Sequence, residues 1–291
     1  ESGCGKSTLA TSIVGLHNSN NTNVSGEIIF KNLNLVDIDE RTFNTIRGNE
    51  IGMIFQDPLS ALNPLMRIAD QIEESLLYHT ELNKVQRKER TLELLNQVGI
   101  KNPERVARQY PHQLSGGMRQ RIVIAIALSC KPSIIIADEP TTALDVTIQA
   151  QILDLLKELQ EETGAGILLI THDLGVVAEM ADRVAVMYAG QIVEEAPVEE
   201  LFNNPLHPYT KSLFNSIPQM DQESEKLQII KGLVPSLTNL PREGCRFSSR
   251  IPWIDSYYHE ERPTLHEVST GHYVRCTCWK HFHFEDEGGQ L

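Results

Sequence analysis

The chain has 291 residues, 41% of them hydrophobic, with 26 basic and 39 acidic side chains for a formal charge of −13. That size can bury a substantial core in one or two compact units, and the acidic balance argues against a broad electrostatic footprint for DNA or RNA. No apolar run approaches the roughly 18 residues of a membrane-spanning helix, the longest candidates, 122–130 and 134–137, being split by Lys131, Pro132 and Ser133, so a membrane role calls for partner subunits.

The chain opens in mid-motif, Glu1-Ser2-Gly3-Cys4-Gly5-Lys6-Ser7-Thr8. A phosphate loop is written G-x-x-x-x-G-K-[ST], so its first glycine falls one place before Glu1, and the start reads as a truncation that lacks an upstream strand. Gly3 and Gly5 let backbone amides approach a phosphate, and Thr8-Leu9-Ala10 opens a helix whose positive end faces it. Lys6 places an ammonium among the β- and γ-phosphates, and the Ser7 hydroxyl is positioned to ligate Mg²⁺. Ser2, Cys4 and Thr8 complete the cradle; Cys4 sits at a variable position and needs no redox role.

Residues 26–35 alternate like a strand of a small antiparallel subdomain. Ile54-Phe55-Gln56-Asp57-Pro58 leads into a helical insert over 58–121, in which Leu92, Leu95 and Val98 recur at helical spacing before Gly99. Leu114-Ser115-Gly116-Gly117-Met118-Arg119-Gln120 precedes a long apolar helix. Ser115 can cap that helix, while Gly116 and Gly117 leave its first amides open to an anion. Residues 133–137, Ser-Ile-Ile-Ile-Ala, read as a buried parallel strand. Asp138 and Glu139 emerge at its carboxyl end, where ligands of open α/β sheets sit. There Asp138 would hold Mg²⁺ through water and Glu139 would act as general base on the attacking water. A helix over 146–162, capped by Asp145, carries Ile148, Ile152, Leu155, Leu156 and Leu159 on one face. The apolar strand Gly166–Ile170 precedes His172, and 184–188 with 191–195 form a hairpin around Ala189-Gly190.

The segment 114–120 resembles the signature sequence of ABC ATPases, and the other motifs fall in that family's order. Gln56 resembles the glutamine loop, which ligates Mg²⁺ and senses the membrane domain. Ala143-Leu144-Asp145 resembles the loop crossing the dimer interface, and His172 the switch histidine at the γ-phosphate. The resemblance implies an α/β fold, a P-loop NTPase (RecA-like) core with a mostly parallel sheet. It also implies an inserted helical subdomain and a remnant of an antiparallel β subdomain. The implied divisions are 1–56 and 125–200 for the nucleotide-binding core, 57–124 for the helical signature subdomain, and 201–291 for a C-terminal extension. Two cassettes would pair head to tail. Each ATP would lie between Lys6, Ser7, Gln56, Asp138, Glu139 and His172 of one subunit and Ser115, Gly116 and Gly117 of the other, with Mg²⁺ held by Ser7, Gln56 and Asp138. Closure around ATP would drive transport.

Beyond residue 197, Pro205-Leu206-His207-Pro208-Tyr209-Thr210 and Gly232-Leu233-Val234-Pro235-Ser236-Leu237 resemble the peptide/nickel branch of the family. Oligopeptide import is the leading expectation, with dipeptides or nickel as alternatives. The implied partners are a second, different ATPase subunit, two membrane-spanning permeases and an extracellular binding protein, at the cytoplasmic face of the cell membrane; no nucleic acid is implied. A non-transport ABC ATPase fits less well, because the gap from Lys6 to Ser115 holds only a compact insert and the chain carries one cassette. A cassette that binds ATP without hydrolysing it would be expected to lack Glu139, the signature or His172, and all are present.

The five cysteines, Cys4, Cys130, Cys245, Cys276 and Cys278, read as cytosolic thiols and not as a disulfide framework. Many members of the branch carry four cysteines for an iron–sulfur cluster in the terminal region. Here Cys245 and Cys276 match, but Ile251 and Tyr258 hold the middle positions, so no cluster is expected. Cys276-x-Cys278-x-x-His281-x-His283 offers zinc ligands; the plainer reading is a polar tail anchored by Trp279, Phe282 and Phe284.

Overall fold

A computed structural model describes residues 3–18, 20–142, 144–216, 240 and 243–285. The backbone divides into two compact units, one of Glu1–Lys6 with Leu174–Leu291 and the other of Ser7–Asp173, each with an apolar core of its own.

The Ser7–Asp173 unit takes in nearly all of α1 (Lys6–Ile13), then β1 (Ile29–Phe30), β2 (Leu33–Asn34), α2 (Glu40–Ile46) and β3 (Ile51–Ile54). The helices α3 (Pro58–Ala61), α4 (Ile68–His79), α5 (Lys84–Gln97), α6 (Pro103–Ala107) and α7 (Gly116–Leu128) follow, then β4 (Ile134–Asp138), α8 (Val146–Thr163) and β5 (Gly166–Ile170). β3, β4 and β5 form a parallel sheet in that order, with Ile54 beside Ala137 and Asp138 beside Ile170. Ile135, Ile136 and Ala137 of the central strand are fully buried, as an apolar parallel strand covered on both faces requires. At Gly52 a Cβ would stand 2.5 Å from the Ala127 carbonyl oxygen, so only glycine lets β3 lie this close to the end of α7. Helix starts follow side-chain caps: Asp39, Asp57, Ser115 and Asp145 each accept a backbone amide, and Asn83 with Gln86 forms a capping box. Gly164, at φ 68°, ends α8 in the left-handed conformation.

Three local expectations are corrected. Helix α1 begins at Lys6, two residues before Thr8. Residues 26–35 are not one strand: Lys31 takes φ 53° and the chain folds back, pairing Phe30 with Leu33. The Asn34 side chain holds the return by accepting from the Ile28 and Val36 amides. In α8 Leu153 is buried while Ile148 is only half-buried; in α5 Leu95 and, at its end, Val98 are fully buried as their spacing suggests.

The other unit holds α9 (Leu174–Met180), β6 (Arg183–Tyr188), β7 (Gln191–Pro197), α10 (Val198–Asn203), α11 (Pro208–Asn215), β8 (Leu265–Ser269) and β9 (His272–Arg275). Its antiparallel sheet runs β6-β7-β9-β8. The β6–β7 hairpin turns through Ala189 at φ 47° and Gly190 at φ 78°, the positive-φ pair of a type I′ turn. β8 and β9 of the C-terminal extension complete the sheet, a pairing the sequence reading did not anticipate; the Thr270-Gly271 turn between them was its signal. Glu194 is fully buried and accepts from the Leu206 and His207 amides at 2.8 and 3.0 Å, with His272 Nε2 at 2.9 Å. That carboxylate explains the docking of Pro-Leu-His-Pro-Tyr-Thr. The second branch motif, 232–237, lies outside the described residues. Among the described residues no helix is long and apolar enough to cross a membrane.

Candidate functional site

The phosphate-loop segment turns through two left-handed glycines, Gly3 at φ 82° and Gly5 at φ 93°. Side chains rarely adopt that conformation, so the motif's glycines are conformational requirements. Beside Gly5 a Cβ would meet Met187 Cε at 3.5 Å and Gly190 Cα at 3.7 Å. The Gly190 amide donates to the Cys4 carbonyl at 2.9 Å, which ties the loop to the β6–β7 turn, and Cys4 is buried as a packing residue. Lys6 is the first residue of α1, with Ser7 and Thr8 exposed in its first turn. Ser2 lies outside the described residues.

In the Ser7–Asp173 unit the three parallel strands end side by side, and the residues just beyond them converge. Glu139 Oε2 accepts from Gln56 Nε2 at 3.1 Å and from Thr142 Oγ1 at 2.9 Å, and His172 Nδ1 lies 3.4 Å from the same oxygen. Glu139 is in the left-handed region at φ 46°, with its amide donating to the Ile170 carbonyl. Non-glycine residues persist in that region only where their surroundings hold them, and such strain gathers at functional positions. The Glu139 side chain is 16% exposed and that of His172 60%, so the carboxylate is shielded while the imidazole faces outward. A carboxylate fixed by two donors beside an imidazole can take a proton from a water molecule without rearranging.

Asp138 Oδ1 is buried with no hydrogen-bond partner among the described residues. An unsatisfied buried carboxylate oxygen is costly unless a ligand completes it. The position therefore fits Mg²⁺ or one of its water ligands.

The structure brings Gln56, Glu139 and His172 together and adds Thr142, which the sequence reading missed; the Thr141-Thr142 pair after Asp-Glu-Pro was the available signal. Ser115, Gly116 and Gly117 stand elsewhere. Ser115 Oγ caps α7 by accepting from the Met118 amide at 3.4 Å, and Gly117 packs against α8, where a Cβ would lie 3.0 Å from Ile148 Cγ2. Asp145 caps α8 through the Ile148 amide. Among the described residues no hydrogen bond joins Ser115, Gly116, Gly117 or Asp145 to the Glu139 cluster, and Ala143 lies outside them.

The tail pattern Cys276-x-Cys278-x-x-His281-x-His283 does not converge. His281 stacks on Tyr258 at 3.7 Å, and the His283 ring lies 3.3 Å from the His281 carbonyl, while Cys276 and Cys278 turn inward. Ile251 is fully buried as an apolar core residue.

The sequence profile described as ABC transporter matches residues 1–142, and that described as the oligopeptide/dipeptide transporter C-terminal region matches residues 193–253. The oligopeptide transport ATP-binding protein OppD of Lactococcus lactis subsp. cremoris is 54% identical over 290 residues, 99% of this chain and 85% of that protein. AppD of Bacillus subtilis, also an oligopeptide transport ATP-binding protein, is 50% identical over 291 residues, 100% of this chain and 87% of its own length. Among solved structures, the dimeric ATP-binding cassette MJ0796 in a post-hydrolysis state bound to ADP and Pi matches with a TM-score of 0.61 at 34% identity. That match covers 68% of this chain and 82% of the other.

Proposed function

The chain belongs to the ATP-binding subunits of ABC transporters, and we propose that it hydrolyses ATP to drive oligopeptide import across the cytoplasmic membrane. The observation that carries the reading is the Glu139 carboxylate, held by Gln56, Thr142 and His172 at the carboxyl edge of the parallel sheet. It occurs in a chain whose relatives along its whole length include oligopeptide transport ATP-binding proteins.

The roles follow from the side chains. Lys6 neutralises the β- and γ-phosphates, and the glycine-opened amides around it bind their oxygens. Mg²⁺ supplies charge neutralisation when bound, and Ser7, Asp138 and Gln56 are the residues that would hold it. Glu139 accepts the proton of the attacking water, and His172 contacts the γ-phosphate. Ser115, Gly116 and Gly117, exposed or half-exposed at the start of α7, serve the ATP of a paired cassette, and Asp145 serves the interface. The pair is a heterodimer, and it works on two membrane-spanning permeases fed by an extracellular binding protein. A dipeptide cargo is the second reading, since the C-terminal profile covers both classes.

The test is Lys6→Ala in the full subunit assembled with its partners. Losing a charged hydrogen-bond donor of ~1.5–3 kcal/mol weakens ATP about 10- to 100-fold and stops uptake of a labelled oligopeptide into vesicles. Unchanged ATP affinity, or a wild-type complex without magnesium-dependent ATP cleavage, would overturn the proposal.

A further inference from the structure

Four side chains from three separate segments of the C-terminal extension meet: Cys245, His259, Cys276 and Cys278 each place one ligand atom within 4.8 Å of all the others. The three cysteines are buried, with Cys278 and Cys276 at 0% and 1% exposure, and His259 is half-buried at the rim. No disulfide joins them. His259 Nδ1 is buried without a hydrogen-bond partner among the described residues.

The backbone is bent to make this meeting. Cys276 sits at φ 67°, a left-handed conformation that a β-carbon disfavours, and Gly244 at φ 86° turns the chain into Cys245. The Gly244 amide donates to the Glu261 carbonyl, the Cys276 amide to the Thr264 carbonyl, and Thr277 Oγ1 to the Tyr258 carbonyl. The Glu260 amide points at Cys276 Sγ at 3.4 Å, an N–H···S contact that suits a metal-bound thiolate.

The geometry points to a structural zinc site formed by Cys245, His259, Cys276 and Cys278, which clamps the loops of the extension onto β9. A tetrahedral zinc with Zn–S near 2.3 Å and Zn–N near 2.0 Å holds its ligand atoms roughly 3.5–3.8 Å apart, so this set needs to contract by only about 1 Å. Three thiolates and an imidazole are a closed structural set with no open position for substrate. A four-iron cluster does not fit. Each of its irons takes one thiolate at a separate corner, which demands wider ligand spacing and a fourth cysteine; here Ile251 lies in the apolar core and Tyr258 stacks on His281. The set replaces those two positions with His259 and Cys278. This inference does not depend on the proposed transport function.

The experiment is metal analysis of the tag-free full-length chain, followed by replacement of the metal with Co²⁺. The expected result is one zinc per chain, no acid-labile sulfide, and a cobalt spectrum with thiolate charge-transfer bands and the d–d bands of a tetrahedral site. Cys278→Ser puts a hydroxyl at a fully buried position and can disturb folding, so His259→Gln is read beside it. In His259→Gln zinc affinity falls at least about tenfold, whereas His281→Ala and His283→Ala keep full stoichiometry. Iron with labile sulfide, a disulfide among the three cysteines, metal-free protein in which Cys245, Cys276 and Cys278 all titrate as free thiols, or zinc lost in His281→Ala but kept in His259→Gln would each overturn the assignment.

Discussion

Glu139→Gln separates the chemistry of the carboxylate from its structural work. Both hydrogen bonds received by Glu139, from Gln56 at 3.1 Å and Thr142 at 2.9 Å, end on the same oxygen. A glutamine placed with its carbonyl there accepts both, so the cluster keeps its geometry. A neutral hydrogen bond is worth about 1 kcal/mol, and with neither bond lost stability should change by less than that. The lost function is proton acceptance. A positioned general base contributes about 10²–10⁴-fold, or ~2.7–5.4 kcal/mol of barrier, so kcat should fall by that factor while ATP affinity holds. Phosphate release at saturating MgATP gives kcat in the assembled transporter, nucleotide titration gives affinity, and thermal melting checks the fold. A kcat within about threefold of wild type would refute Glu139 as the base, and a matching loss of ATP affinity would show that the residue binds nucleotide instead.

Gly52→Ala places a methyl group 2.5 Å from a backbone oxygen of α7 that cannot swing away. Overpacking of this kind costs ~1–3 kcal/mol or more, lowering Tm by about 2–10 °C; a change below about 1 °C would show that β3 and α7 do not lie this close. Burial pushes the His207 pKa down to about 3, and its Nδ1 accepts from the Tyr209 amide as the cap of α11. The unfolded chain gains that proton below about pH 6.5 and the folded chain does not, so this group's contribution is intact above that pH and falls by about 2 kcal/mol by pH 5. His207→Asn keeps the cap and removes the proton, so urea melts at pH 7.5 and 5 should differ less in the variant; an equal difference refutes the assignment. Ser115→Ala removes a long cap bond, so Tm should fall little. ATP turnover of the assembled complex should fall at least about tenfold, and turnover that follows stability alone would leave Ser115 a cap only.

The parts of the fold that could be read from sequence are those where one local signal decides. Ser-Ile-Ile-Ile-Ala before Asp138 admits little but a buried strand, and Gly166–Ile170 and the Ala189-Gly190 hairpin follow the same logic. The misses are places where one particular partner, near or distant in sequence, decides. Residues 26–35 alternate like a strand, yet Asn34 bonds to the Ile28 amide and the segment doubles back. Glu194 and His272, 78 positions apart, are ordinary polar residues until β7 and β9 pair and bury both. The cysteine set fails to show itself for the same reason. Cys276 and Cys278 suggest ligands nearby in the tail, but their companions Cys245 and His259 arrive through a loop and a bend that no short spacing encodes.

Gln56, Glu139 and His172 were legible residue by residue, and the family resemblance implied that they meet at one ATP, whereas Thr142 was not anticipated. Gln56 and His172 each stand two residues beyond a strand end, Ile54 and Ile170, while Glu139 stands one residue beyond Asp138. With Ile54 paired to Ala137 and Asp138 to Ile170, those offsets bring all three side chains to one edge. A slip of one residue in either pairing would turn each strand's side chains to the opposite face. The same offset explains the left-handed Glu139. Its amide is spent on the Ile170 carbonyl, which continues the β4–β5 ladder one step, so the chain must turn at this residue to free the carboxylate for Gln56 and Thr142. The strain at φ 46° is therefore a consequence of placing a base immediately after a buried strand. Moving the acid one residue further along would leave the turn at position 139 in place and take the carboxylate out of reach of its donors.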